Sequence, residues 1–378
     1  MRKSMDRSGH GVVCALASLT LSAALTSAVA APIPRESARI PFAERFHVTQ
    51  HGGIARAANS VVTCLRTGHH RAGRPTHHRH PAGQPTAGSC APARRGGAGT
   101  DGRYRPVAVD VDSDPRTALS SQAELRIPAG SRISYARLYW GGSLRAGARG
   151  PVRDGRRVLV AGPGGRYREL TADTLTGHRT SSAGGSFQAS ADVTELVRRR
   201  GAGAYTVART AAARARSGAG AWGGWTLVAV YENHRQPLRQ LALWDGFERL
   251  GGGRRSLAVR LGELRIPAKG HGRVGVLAYG GHREREHNRL SVRADRHRPY
   301  ALRDSANPVH DVMNSTITEF GRESSGKPAH PNTSGLDSDV FDVTPALRSG
   351  ADRLIFRFTT HNPGYLLGAL FVETDTRR

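Results

Sequence analysis

Carboxylates recur at alternate positions in two places, Asp110-x-Asp112-x-Asp114 and Asp337-x-Asp339-x-x-Asp342. Closely spaced oxygens suit a hard cation, and calcium takes about six to eight of them, so two such sets could share one ion. A second reading uses the same residues as hydrogen-bonded turns. Pro115 stands where a calcium loop of the EF-hand type needs glycine, no bidentate glutamate follows, and Asp342 is placed to cap a short helix. Both readings stay open on the sequence. His69, His70, His77, His78 and His80 could hold a transition metal through neutral imidazoles. Their surroundings are rich in arginine, which opposes a divalent ion, and a solvated low-complexity loop is the simpler reading.

Aromatic side chains are the other candidates. Trp140 and Trp225 lie in long apolar stretches and read as core. Trp222 sits in a glycine-rich approach and is expected to be exposed, where it could stack on a sugar. His282 to His287 lacks the spacing of a zinc-protease helix, and there is neither a Gly-x-Ser-x-Gly elbow nor a phosphate-binding loop. No catalytic residue is therefore assigned, and no cofactor is required; calcium is the one ion the pattern would suit, in a structural role.

The elements that would carry these residues repeat. Ala123-Glu-Leu-Arg-Ile-Pro-Ala129 returns as Gly262-Glu-Leu-Arg-Ile-Pro-Ala268, and an ungapped register then sets Leu138 on Leu277 and Gly141-Gly142 on Gly280-Gly281. Asp192-Val-Thr194 returns as Asp342-Val-Thr344, and Val228 to Glu232 returns as Ala369 to Glu373. Landmarks in one order point to two copies of a single unit. Between them, short runs of β-branched and aromatic residues alternate with Gly/Pro turns, and no stretch keeps a helical period for long. The pattern predicts an all-β chain of two tandem β-sandwich or jelly-roll-like domains. The first spans 41–235 and the second 236–378, after a linker over 31–40. Arg45–Thr49 and Ile54–Val62 are expected as two strands joined by a turn at His51-Gly-Gly53. Residues 65–100, basic and nearly free of apolar side chains, are expected to form a flexible loop in the first domain. The second copy carries a polar insertion over 294–336, expected as a surface excursion over one end of that domain.

Residues 1–30 have the three parts of an export signal: Arg2, Lys3 and Arg7, then an apolar run from Gly11 to Leu25, then Ala28-Val29-Ala30. That run is shorter than the roughly 20 residues of a membrane helix, and no second apolar stretch would span. In an oxidising compartment Cys64 and Cys90 would form one disulfide. The formal net charge is +26, with Lys3, Lys269 and Lys327 the only lysines. Such a surface attracts anionic polymers through the general field of its arginines, without specific recognition of nucleic acid.

Seven ordered segments then look familiar. They are Phe46 to Gly53 running to Val62-Thr-Cys64, Val109 to Pro115, Leu138-Tyr-Trp-Gly-Gly142, Gly224 to Tyr231, Arg239 to Phe247, Met313-Asn-Ser-Thr-Ile317 and Gly335 to Asp342. This series resembles the N-terminal β-rich region of large bacterial, actinobacterial-type surface proteins that carry tandem conserved repeats of unknown function. The resemblance implies an exported envelope or extracellular β-protein and no particular activity. The expectation is a secreted, non-catalytic protein, free or loosely held at the cell wall, with an interaction or structural role. A module for carbohydrate or anionic wall polymer is one alternative, and a hydrolase with an unrecognised site is another.

Overall fold

The computed structural model describes residues 40–64, 106–115, 117, 119–144, 153–180, 184–208, 222–281, 287–329, 332–361 and 364–377. The segment expected as an export signal, the histidine-rich segment and Cys90 lie outside the described residues. From Pro34 to Arg378 the chain forms one compact unit.

The chain is all-β, as expected. The first copy contains β1 (Ile40–Ser60), β2 (Val62–Cys64), β3 (Pro106–Ala108), β4 (Ser120–Leu125), β5 (Arg132–Leu144), β6 (Arg157–Ala161), β7 (Arg168–Thr171), β8 (Thr174–Thr180), β9 (Gly184–Asp192), β10 (Gly203–Ala208) and β11 (Gly223–Glu232). A seven-residue helix, α1 (Thr194–Arg200), precedes β10. The second copy contains β12 (Leu238–Arg249), β13 (Ser256–Leu261), β14 (Gly272–Tyr279), β15 (Arg289–Ala294), β16 (Tyr300–Ala301), β17 (Thr318–Glu319), β18 (Arg322–Glu323), β19 (Gly326–Lys327), β20 (Leu336–Asp342), β21 (Leu354–Thr359) and β22 (Leu366–Asp375).

Eleven strands form one sheet, ordered β18-β17-β20-β14-β22-β12-β1-β11-β5-β9-β8. A five-stranded sheet, β19-β4-β10-β6-β7, covers one half of it, and a four-stranded sheet, β13-β21-β15-β16, covers the other. Each pair of layers encloses its own core. Leu125, Val160, Tyr205 and Val207 meet Leu138, Trp140, Phe187 and Trp225 in the first. Val259, Leu290, Phe356 and Phe358 meet Val274, Val276, Phe341 and Val372 in the second.

A third apolar layer lies between the halves. Tyr139, Val228 and Val230 of the first pack with Leu243, Leu277, Tyr279 and Phe371 of the second. Trp222 stacks on Tyr279 with ring centroids 4.9 Å apart, and the Tyr139 hydroxyl donates to Asp245 at 2.8 Å. The two halves of the large sheet therefore lie face to face.

The join is β1. The expected turn at His51-Gly-Gly53 does not form; the strand runs straight through it. Residues up to His51 pair with β12, and residues from Gly52 pair with β11. β11 and β12 thus continue one after the other along the same partner. Glycine is required where the ladder changes hands, because a Cβ on Gly52 would lie 1.9 Å from the Tyr231 carbonyl oxygen. The domain boundary expected at 235/236 falls in the short turn between β11 and β12, and chain contacts do not separate there.

Some positions that the sequence aligns lie in similar places, and others do not. Val228 and Val230 share the central layer with Ala369 and Phe371, as their alignment requires. Asp192 and Asp342 play matching parts: each carboxylate accepts from the N–H of the threonine two residues on, at 2.8 Å. Asp192 and Asp342 were expected as the N-caps; they sit one place ahead of the observed caps, Val193 and Val343. Leu138 and Leu277 are not equivalent. Leu138 faces the first outer core and Leu277 faces the central layer. A slip of one residue reverses the faces of a strand, so the true correspondence of β5 and β14 is offset from the ungapped alignment by an odd number.

The excursion over 294–336 is not a surface loop over one end. Leu302, Asn307, Met313, Thr316 and Thr318 are all buried. β17 lies parallel to β20, and β19 crosses to pair with β4 of the first copy. Its polar side chains bond to one another, which is why a polar sequence can lie inside.

Gly52→Ala should destabilise the protein by about 2–3 kcal/mol or more, because the strand must move off β11. Gly253→Ala, where an added Cβ meets nothing within 4 Å, should stay within about 0.5 kcal/mol of wild type in denaturant unfolding.

Candidate functional site

The carboxylates singled out in the sequence separate into three environments. Asp110 accepts from the Ser120 hydroxyl at 2.7 Å. Asp112 accepts from the Asp114 N–H at 2.9 Å, from the Thr117 hydroxyl at 2.7 Å and from the Tyr167 hydroxyl. These hydroxyls and the N–H hold the Asp112 carboxyl below its usual range against a burial effect of opposite sign. Asp112, Asp114 and Thr117 thus make a hydrogen-bonded turn. Asp342 is exposed at the end of β20. Among the described residues no group of three or more His, Cys, Asp or Glu is placed to hold a metal ion. The two acidic sets are not brought together.

Asp337 and Asp339 are different, with 0% and 2% exposure. They alternate along β20 with Ser338, whose hydroxyl lies 3.3 Å from that of Thr226 in β11. Both carboxylates meet the excursion. Asp337 Oδ1 accepts from the Ser315 N–H at 2.6 Å. Asp339 Oδ1 accepts from the Thr318 N–H at 2.8 Å and lies 2.6 Å from its hydroxyl. Asn307 donates to the same hydroxyl at 2.9 Å. The Met313–Ile317 and Gly335–Asp342 segments, noted separately in the sequence, are therefore the two sides of one buried polar centre. Gly281 makes room for it, since a Cβ there would lie 2.4 Å from Asp337 Oδ2.

Arg56 of β1 completes the centre by donating to the Thr318 carbonyl at 2.8 Å. Its Nε and Nη1 have no hydrogen-bond partner among the described residues, and neither has Asp337 Oδ2. Burial raises the pKa of both aspartates. Asp339 is pushed up to about 7, although Thr318 and Arg56 act in the other direction. Asp337 is driven well above the usual carboxylate range, first by burial and then by the charge of Asp339. Two converging carboxyls, at least one protonated at neutral pH, would be an acid–base pair if they met a substrate. Here they meet threonine, serine and backbone, and their chemistry is structural.

Two further ionic networks fasten the halves. Asp245 of β12 is held by Arg45 at 2.9 Å and by Arg137 of β5 at 3.5 Å, besides Tyr139. Glu373 of β22 accepts from the Ile54 N–H of β1 at 2.8 Å and pairs with Arg273 at 2.7 Å and Arg239 at 3.0 Å. Glu232, which the sequence aligned with it, pairs with the exposed Arg132. The sequence aligned these two glutamates without a signal that one is a buried link and the other a surface pair.

The aromatic expectation is corrected. Trp222 is 5% exposed and stacked against Tyr279 in the central layer. It offers no face to a sugar. Trp140 and Trp225 are fully buried, as expected. Cys64 pairs through its backbone with Pro106 in the small β2–β3 sheet, while its expected disulfide partner Cys90 lies outside the described residues.

Trp222→Ala should cost about 3–5 kcal/mol of stability, read by denaturant unfolding. The buried aspartates predict a pH dependence of definite sign. Below pH 4 both states hold these protons. As pH rises from about 4 to 7 the unfolded carboxyls ionise while the folded ones do not, so stability falls by about 1.4 kcal/mol per pH unit and per group. Asp339→Asn should flatten this fall relative to wild type; parallel pH profiles for the two proteins would contradict the assignment.

No known protein family matches the chain, and no curated protein matches it. Among solved structures, a chain of the Sulfolobus turreted icosahedral virus is similar over 67% of this chain and 85% of its own, at 9% identity and a TM-score of 0.22. At that score the likeness carries no argument.

Proposed function

We propose that the protein is exported and acts without catalysis, by binding at the outside of the cell through a cationic surface. One observation carries this reading. Among the described residues Arg137 is buried and Arg56, Arg239 and Arg273 are half-buried beside carboxylates, while the arginines of the outer sheets, Arg157, Arg260, Arg289, Arg293 and Arg357 among them, are exposed. The net charge of +26 is therefore presented largely by exposed arginine. A field of that sign concentrates polyanions at the surface and is weakened by salt.

The export reading rests on the three-part segment over residues 1–30 and on the resemblance of seven segments to bacterial surface proteins. No helix among the described residues is long and apolar enough to cross a membrane. The buried carboxyl pair gives a hydrolase reading little support, because neither carboxyl reaches solvent. The interior position of Trp222 removes the residue on which the carbohydrate-stacking alternative rested.

The test is fractionation of cells expressing the full chain, followed by rebinding of the purified protein to isolated envelopes over a salt series. The processed protein is expected in the envelope or external fraction, with affinity falling at least 10-fold between 50 and 200 mM salt, the order expected for several ionic contacts. A protein retained inside the cell, or one whose envelope binding ignores salt, would overturn the reading.

A further inference from the structure

The two outer sheets come from equivalent parts of the repeat, yet their outward faces differ in charge. On the five-stranded sheet the outward arginines are paired with acid, although Lys327 on β19 and Arg168 at the β7 edge are exposed without an ion pair among the described residues. Glu124 pairs with Arg126 at 3.2 Å, and Glu169 of β7 pairs with Arg157 of β6 at 3.3 Å. On the four-stranded sheet the residues that alternate with the core positions are Ser256, Ala258 and Arg260 on β13, Ile355, Arg357 and Thr359 on β21, and Arg289, Ser291 and Arg293 on β15. Four are arginine and none is acidic.

The register places these arginines in one array. Arg357 stands opposite Ala258 on one side and Ser291 on the other. Arg260 and Arg293 both stand opposite Ile355, and Arg289 stands opposite Thr359. Arg357 is thus the centre, with the other three on the diagonals. Neighbouring strands are about 4.8 Å apart, and Arg289 and Arg293 are roughly 13–14 Å apart along β15. All four are exposed. None makes a hydrogen bond or an ion pair among the described residues. Asp295, next after β15, is turned to the backbone, accepting from the N–H groups of Asp352 at 3.1 Å and Arg353 at 2.9 Å. The turn it opens adds Arg296 and Arg298, both exposed.

We propose that this face is the docking surface for a linear phosphodiester polymer of the envelope, in which the repeating unit is a polyol and not a nucleoside. The proposal rests on the envelope-binding reading above and names the surface and the chemistry. Like charges gathered without counter-charges cost stability in the free protein, and a regularly charged anion relieves that cost. Guanidinium groups present planar forks that match phosphate oxygens in pairs. The outward positions of β13, β21 and β15 carry no aromatic side chain; the exposed Tyr300 lies on the edge strand β16, opposite the inward Val292, away from the arginine array. Single-stranded nucleic-acid sheets rely on aromatic platforms across the face. The sibling face, built from the same repeat, pairs Arg126 and Arg157 with glutamate. The array is therefore a property of one face and not only of an arginine-rich composition.

The experiment compares the full chain with two quadruple variants. One is R260Q/R289Q/R293Q/R357Q. The other, R126Q/R132Q/R157Q/R199Q, removes equal charge from exposed arginines that each pair with a glutamate. Circular dichroism and unfolding first establish that both fold. Binding to poly(glycerol phosphate), to single-stranded DNA of equal charge and to isolated envelopes is then measured over 50–200 mM salt. Four phosphate contacts predict a loss of roughly 50-fold across that range for wild type. The face variant should lose most of this salt dependence and at least 10-fold in affinity at 50 mM; the control should stay within about 3-fold. Equal losses in both variants would mean diffuse attraction and overturn the proposal, as would DNA binding tighter than poly(glycerol phosphate). Envelope binding that survives in the face variant would overturn the proposal while leaving the envelope reading intact. Wild type that binds no envelope at all would remove the reading itself.

Discussion

One strand is hydrogen-bonded into both halves of the molecule, and the rest of the structure depends on it. β1 spends its first residues on β12 and its last on β11, with Gly52 at the exchange. Because β11 and β12 follow each other along that single partner, the two halves cannot separate without breaking a continuous ladder. The same geometry turns the two halves of the large sheet toward each other. Their inner faces then need a common filling, and the layer of Tyr139, Trp222, Leu277 and Tyr279 supplies it.

That layer explains where the charged groups go. Residues facing another sheet lose water, so each buried ion there needs a partner. Asp245 collects Arg45, Arg137 and Tyr139, and Glu373 collects Arg273, Arg239 and the β1 backbone. Asp337 and Asp339 are raised by burial, and at Asp339 the charge of Arg56 opposes this without cancelling it. Joining the halves therefore uses guanidinium groups as well as carboxylates, four arginines for Asp245 and Glu373. The arginines left over face solvent on the outer sheets, and the proposed activity uses those.

Legibility in the sequence followed the period of the apolar residues. The all-β class was readable because short β-branched runs and Gly/Pro turns recur throughout. The Val228–Glu232 and Ala369–Glu373 strands were matched correctly, since both alternate between an outer core and the central layer. β8 and β9 gave no signal, because Thr176, Ser186, Gln188 and Ser190 are buried but polar. The excursion over 294–336 was read as surface for the same reason: its threonines, asparagines and serines bond to one another and to Asp337 and Asp339. Trp222 was placed outside because a glycine-rich approach usually marks a loop, and here the glycines allow close packing of strands. No local pattern reveals that two sandwich-like halves share a strand, since the partner of a β-strand is not written in its own residues.

Native-state hydrogen exchange on the full chain tests the shared strand most directly. If β1 fastens both halves, peptides covering Gly52–Ser60, β5 and β11 should open with the same free energy as peptides covering β12, β14 and β22, as one cooperative unit. Two protection classes that divide at the β11–β12 turn, with one half exchanging while the other remains closed, would contradict it.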